Sequence, residues 1–103
     1  MRIAALVPGL MDRSRFDAIE GVTFVRSPEE LASVDGTEIA VVDLAVPGAL
    51  EAVSTLPSTV RKVGFASHID DEGLRAAKAA GIEAMPRSRF FSRIAVILPT
   101  DQH

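Results

Sequence analysis

Val41-Val42-Asp43-Leu44-Ala45-Val46-Pro47-Gly48 is an apolar run that ends on a single carboxylate and breaks at a Pro-Gly turn. A continuous apolar run suits a strand covered on both faces, as in parallel sheets. A strand that ends on Asp presents that side chain at the carboxyl edge of its sheet, where open α/β sheets bind their ligands. The stretch therefore predicts both a fold class and the place to look for a site.

Working outward, Ile3-Ala4-Ala5-Leu6-Val7 is a second continuously apolar strand. A helix is expected over 12–19, with Phe16 and Ile19 on one face and Gly21 as its stop, followed by a short strand over 22–25. Ser27-Pro28-Glu29-Glu30 has the form of a helix start, with Ser27 as cap, Pro28 at the first helical position and Glu30 closing a capping box. Asp35-Gly36 ends that helix. After the strand over 39–44 come a short helix over 49–56 and a strand over 60–66. Asp70-Asp71-Glu72 opens the best-signalled helix, since acid in its first turn, Arg75 and Lys78 further on and Gly81 at its end all agree with the helix dipole. An edge strand over 82–85 and a last helix over 88–98, with Phe91, Ile94 and Leu98 as its inner stripe, complete the chain. Strand and helix thus alternate throughout. That order predicts one doubly wound α/β domain over 1–103, flavodoxin-like, with a five-stranded parallel sheet in strand order 2-1-3-4-5.

Composition bounds the function. The 103 residues are 48% hydrophobic, enough for one domain with a real core. A net charge of -3 provides no basic field for nucleic acid, and without Tyr or Trp base stacking is poorly served. The absence of cysteine excludes disulfides, thiol catalysis and cysteine-ligated zinc. No apolar run approaches the roughly 20 residues that cross a bilayer, and 3–7 is too short for a secretory signal core, so a soluble cytoplasmic protein without a membrane partner is expected. His68 is the one non-terminal histidine, which argues against a histidine metal centre. Val7-Pro8-Gly9, after the first strand, is neither a dinucleotide fingerprint nor a phosphate loop, and no cofactor or metal is expected.

Three segments in order resemble the receiver domain of bacterial two-component response regulators. Residues 41–48 resemble the phosphoacceptor strand and its loop, with Asp43 at the acceptor position. Val63-Gly64-Phe65-Ala66-Ser67-His68-Ile69-Asp70 resembles the fourth strand and switch loop. Ala79-Ala80-Gly81-Ile82-Glu83-Ala84-Met85-Pro86-Arg87 resembles the approach to the family's active-site lysine. The catalytic set departs from the pattern. The place of the magnesium-binding acids reads Val7-Pro8-Gly9, and Asp12, the nearest acid, lies too far along the chain to stand in for them. The switch hydroxyl position falls on Ala66, with Ser67 one place later, and the lysine position falls on Arg87 or Met85. Phosphoryl transfer to a carboxylate depends on charge neutralisation, usually by a metal held on carboxylates. The resemblance therefore implies a degenerate, non-catalytic pseudo-receiver, a cytoplasmic signalling or protein-interaction module. The alternatives are phosphoacceptance by Asp43, or a small-anion sensor or small enzyme at the same sheet edge.

The remaining chemistry-bearing residues cluster at that edge. Ser67, His68 and Asp70 do not make a hydrolase triad, because adjacent side chains on extended backbone point apart; Asp70 reads as a helix cap. Arg87 and Arg89 lie at a helix start, where cations are unfavourable unless they meet an anion. Arg87 is expected either to hold a phosphate, a carboxylate or a partner's acid, or to pair with Asp43 across the top of the sheet. Asp43, Ser67, His68, Arg87 and Arg89 are thus the expected anion- or partner-binding residues. Phe90 and Phe91 are adjacent, so one of them is expected on the surface, as part of a fourth-helix, fifth-strand and fifth-helix face for a protein partner or a homodimer.

Overall fold

Side chains on a strand alternate between faces, so a continuously apolar strand has to be covered on both sides. The computed structural model, which describes residues 1–67 and 70–99, meets that demand with helices on either face of one sheet. The strands are β1 (Ile3–Leu6), β2 (Val22–Phe24), β3 (Ile39–Asp43), β4 (Arg61–Ala66) and β5 (Glu83–Pro86). All pair in parallel, in the order β2-β1-β3-β4-β5, the flavodoxin-like arrangement that the alternation predicts. Helices α1 (Leu10–Ser14), α2 (Ala49–Ser54), α3 (Asp71–Ala79), α4 (Arg87–Ser92) and α5 (Ile94–Ile97), with a 3₁₀ segment over Pro28–Ser33, join or follow them.

The sheet divides two chemically different cores. Ala4, Leu6, Ala40, Val42 and Ala84 face Leu31, Val53 and Leu74 of the 3₁₀ segment, α2 and α3, a layer built of aliphatic groups. Ile3, Ala5, Val41 and Val63 face the opposite way, toward Phe16, Phe90, Phe91 and Leu98. All five phenylalanines gather in that second layer. Phe65 stacks on Phe90 at 5.0 Å and 19°, and Phe16 meets Phe24 edge-on at 5.5 Å. Such pairs add about 0.5–1.5 kcal/mol each beyond area burial.

Several local expectations change. The first helix starts earlier than expected and ends at Ser14, leaving Phe16 and Ile19 to pack from the turns behind it. Pro28–Ser33 is 3₁₀ rather than α, and the Ser27 side chain reaches the Glu30 carboxylate at 3.4 Å instead of capping a backbone amide. The last helix breaks at Arg93, dividing α4 from α5. The expected exposure of Phe90 or Phe91 is wrong: they are 0% and 8% exposed. Neighbours on a helix lie 100° apart, which one broad apolar stripe covers, and the short α4 lays both rings on Phe65. The face proposed for pairing therefore lacks its aromatic residues. Other signals hold as read: Asp70 caps α3 through Gly73 N–H, and Gly48, before α2, takes φ +83, where a side chain is strained.

At the amino edge of the sheet, Arg61 of β4 donates to both Glu83 carboxylate oxygens, at 2.6 and 2.8 Å, and to the Ile97 carbonyl at 2.6 Å. One guanidinium thereby ties β4, β5 and α5 together. Hydrogen bonding from Arg61 holds the Glu83 carboxyl below its ordinary pKa, with Coulomb attraction adding to it and burial opposing. A lowered folded pKa contributes stability above the unfolded value and loses it as pH falls through the folded one. Both side chains are partly solvated, so solvent screening limits the contribution to no more than about 1 kcal/mol.

Two outcomes follow for stability. Phe90→Ala costs about 3–5 kcal/mol in urea unfolding, against less than about 0.5 kcal/mol for the exposed Arg89→Ala. Glu83→Gln is less stable than wild type near neutrality, and the gap closes below about pH 4.5 in urea midpoints taken from about pH 7 to about pH 3.

Candidate functional site

β1, β3, β4 and β5 all finish at the same edge, because every strand runs the same way. Asp43 is the last residue of β3 and is half-buried. Its Oδ1 accepts a hydrogen bond from the Ala45 N–H at 3.0 Å, an Asx turn that sets the loop toward Gly48. β4 brings Phe65, Ala66 and Ser67 alongside, and the start of α4 brings Arg87 and Ser88. Together with Asp43 and Ala45 these residues line an open cavity of about 310 Å³.

The group that organises this edge is Asp12, which spacing along the chain places too far from the first strand. Because α1 begins at Leu10, its first turn carries Asp12 back over the end of β1. Asp12 is 5% exposed, the one buried charged residue among those described. Arg87 answers it with both terminal nitrogens, Nη1 to Oδ2 and Nη2 to Oδ1, in a bidentate pair. The expected Arg87–Asp43 pair is therefore not formed; Arg87 is bonded to Asp12 and feels Asp43 only through space. The guanidinium pKa is raised, first by the hydrogen bonds it donates to Asp12, then by Coulomb attraction from Asp12 and Asp43, with desolvation opposing. Its face lies 5.5 Å from the centre of the Phe91 ring, which Arg15 also covers at 5.2 Å.

Gly9 makes room for this pair. A Cβ there would stand 3.0 Å from Asp12 Oδ2, tighter than ordinary contact, so a bare backbone lets the carboxylate turn inward. Gly9 three residues before an acid, after a buried strand, was the signal available in the sequence. Nothing in the spacing said which cation would come to meet it, since Arg87 is 75 residues away.

The structure thus gathers Asp43, Ser67 and Arg87 of the expected set and adds Asp12 and Ser88. Arg89 is exposed on α4 and does not line the cavity. His68 lies outside the described residues. Among the described residues no three His, Cys, Asp or Glu side chains cluster to hold a metal, and no helix is long and apolar enough to cross a membrane. Chemically, one guanidinium is bonded to one carboxylate and feels a second through space. It neutralises Asp12 and leaves the cavity, through Asp43, with one negative charge in excess. That balance disfavours a small anion and suits a hydrogen-bond donor or a cationic group.

No protein-family model matches the chain, and no curated protein and no solved structure matches it either.

The two halves of the ion pair are unequally buried, and their removal has unequal effects. Arg87→Met leaves the buried Asp12 carboxylate unpaired and costs about 3 kcal/mol, the low end for breaking a buried pair. Asp12→Asn costs less, because the Arg87 side chain is 47% exposed and is solvated when released. Urea unfolding of the two variants checks this order; equal losses would show that the buried carboxylate is not the costly partner.

Proposed function

We propose that this chain is a non-catalytic, receiver-like protein-interaction module of the cytoplasm, acting through contacts rather than through chemistry at Asp43. The observation that carries the reading is the bidentate Asp12–Arg87 pair. Phosphoryl transfer to a carboxylate needs its charge neutralised by groups that can also bind the incoming phosphoryl oxygens, usually a metal held on neighbouring acids. Here the neighbouring acid is buried against a guanidinium that belongs to the fold. Both terminal nitrogens of Arg87 are engaged by Asp12, so an approaching phosphoryl group would have to compete with a buried carboxylate for them. The resemblance of residues 41–48, 63–70 and 79–87 to receiver segments supports the same class of module, and the strand order agrees with it.

Acceptance of a phosphoryl group by Asp43 is the rival reading, and it makes an opposite forecast. Incubation of the pure protein with acetyl phosphate and magnesium, followed by intact-mass measurement, is expected to give no adduct. An adduct present in wild type and absent in Asp43→Ala would replace the interaction module with a working phosphoacceptor.

A further inference from the structure

Two of the largest exposed apolar side chains are neighbours: Leu10 and Met11, at the start of α1, are 78% and 81% exposed. Scattered exposed apolar residues need no explanation, but two adjacent long ones at this exposure form a projecting knob. Two arginines, Arg13 and Arg15, follow it closely in the chain. Arg15 stands four residues after Met11 and so lies on the same side of the chain as it turns out of α1. Arg13 covers the Phe24 ring and donates to the Val7 carbonyl through Nε–H at 2.7 Å rather than through its terminal nitrogens. The one carboxylate within α1 is already neutralised by Arg87.

The opposite layer carries a matching depression. Between the 3₁₀ segment and α2 lies an open groove of about 400 Å³, within the size range that takes small ligands or a pair of side chains. Its walls are Pro28, Ala32, Gly48, Ala52 and Thr55, small or apolar groups that leave the floor shallow. Glu29 and Glu51 stand on its two sides, exposed and without an ion-pair partner among the described residues. The layer as a whole is acidic: its helical segments carry Glu29, Glu30, Glu51, Asp71 and Glu72 against Arg75 and Lys78. The knob's layer is the reverse: on α1 and α4, Arg13 and Arg89 remain once Arg87 and Asp12 offset each other.

We infer that the groove takes the Leu10–Met11 knob of a second copy of this chain, with Arg13 and Arg15 meeting Glu29 and Glu51. Knob and groove lie in different layers, so the contact is heterologous. Each copy that docks its knob leaves its own groove open, and association continues into rings or chains rather than stopping at a symmetric dimer. The inference deepens the reading of the chain as an interaction module by naming the partner. It is independent of the partner face expected on the fourth expected helix, the fifth strand and the last helix, which are α3, β5 and α4 with α5.

Light scattering on a sizing column, across a wide range of protein concentration and at low and high salt, tests it. The mass of the wild type is expected to rise beyond a dimer with concentration and to fall with salt, because the flanking pairs are solvent-exposed. Met11→Asp removes the knob and Ala32→Arg fills the groove and reverses its charge; both sites are exposed, so circular dichroism is expected to be unchanged. Each variant alone is expected to be monomeric. Mixed, they form a dimer and nothing larger, because only one competent knob and one competent groove remain per pair. A wild type that is monomeric throughout, a mass that stops at a dimer, or two variants that fail to pair while the wild type assembles would each overturn the inference. A phosphoryl adduct on Asp43 with assembly intact would overturn the proposed function and leave this contact standing.

Discussion

A carboxylate taken out of water must find a cation or become neutral, since an unpaired buried charge costs several kcal/mol. Asp12 sets that condition for the whole carboxyl edge of the sheet. It is buried at the start of α1, and the group that satisfies it comes from the start of α4. β1 and β5 are not neighbours; β3 and β4 lie between them. The pair therefore spans the tops of the two central strands and holds α1 and α4 in one layer. Arg87 is brought beside Asp43 as a consequence, close enough for Asp43 to help keep the guanidinium charged. The geometry of the cavity follows from the solvation needs of a residue that does not line it.

The aromatic layer beneath depends on the same constraint. Phe91 lies under both Arg87 and Arg15, and Phe90 stacks on Phe65 from the same short helix. Planar guanidinium groups laid on rings retain charge while covering apolar surface. At the far edge, Arg61 ties Glu83 and the Ile97 carbonyl by hydrogen bonds. Arginine thus fastens both ends of the sheet on the side where α4 and α5 pack. The opposite layer is built of aliphatic side chains beneath acidic helices.

Much of the fold was legible because it rests on local rules. Continuous apolar runs mark strands covered on both faces, and they locate β1 and β3 almost to the residue. The acidic first turn of α3 and the capping Asp70 are equally local, and both hold. Expectations failed where a tertiary demand overrode a local one. The Ser27-x-x-Glu30 pattern has the letters of a capping box, but a 3₁₀ segment forms instead. Helix periodicity alone puts one of Phe90 and Phe91 on the surface, whereas the short α4 packs both rings on Phe65. At the candidate site, the sequence points to Asp43, Ser67 and Arg87, which line one cavity, whereas spacing along the chain places Asp12 out of reach.

The sequence by itself determined the class of fold, the strand order that follows from alternating elements, and the sheet edge at which Asp43 ends. Those depend on periodicity, turns and caps, whose causes act within a few residues. Only the tertiary structure decided which cation meets which acid, since Arg87 could reach Asp43 or Asp12 by any sequence argument. The choice turns on burial: Asp43 stays half-solvated and accepts a backbone amide, whereas Asp12 is sealed and needs a full charge. Desolvation is a property of the assembled layers and not of neighbours in the chain, so no reading of spacing along the chain could assign the pair.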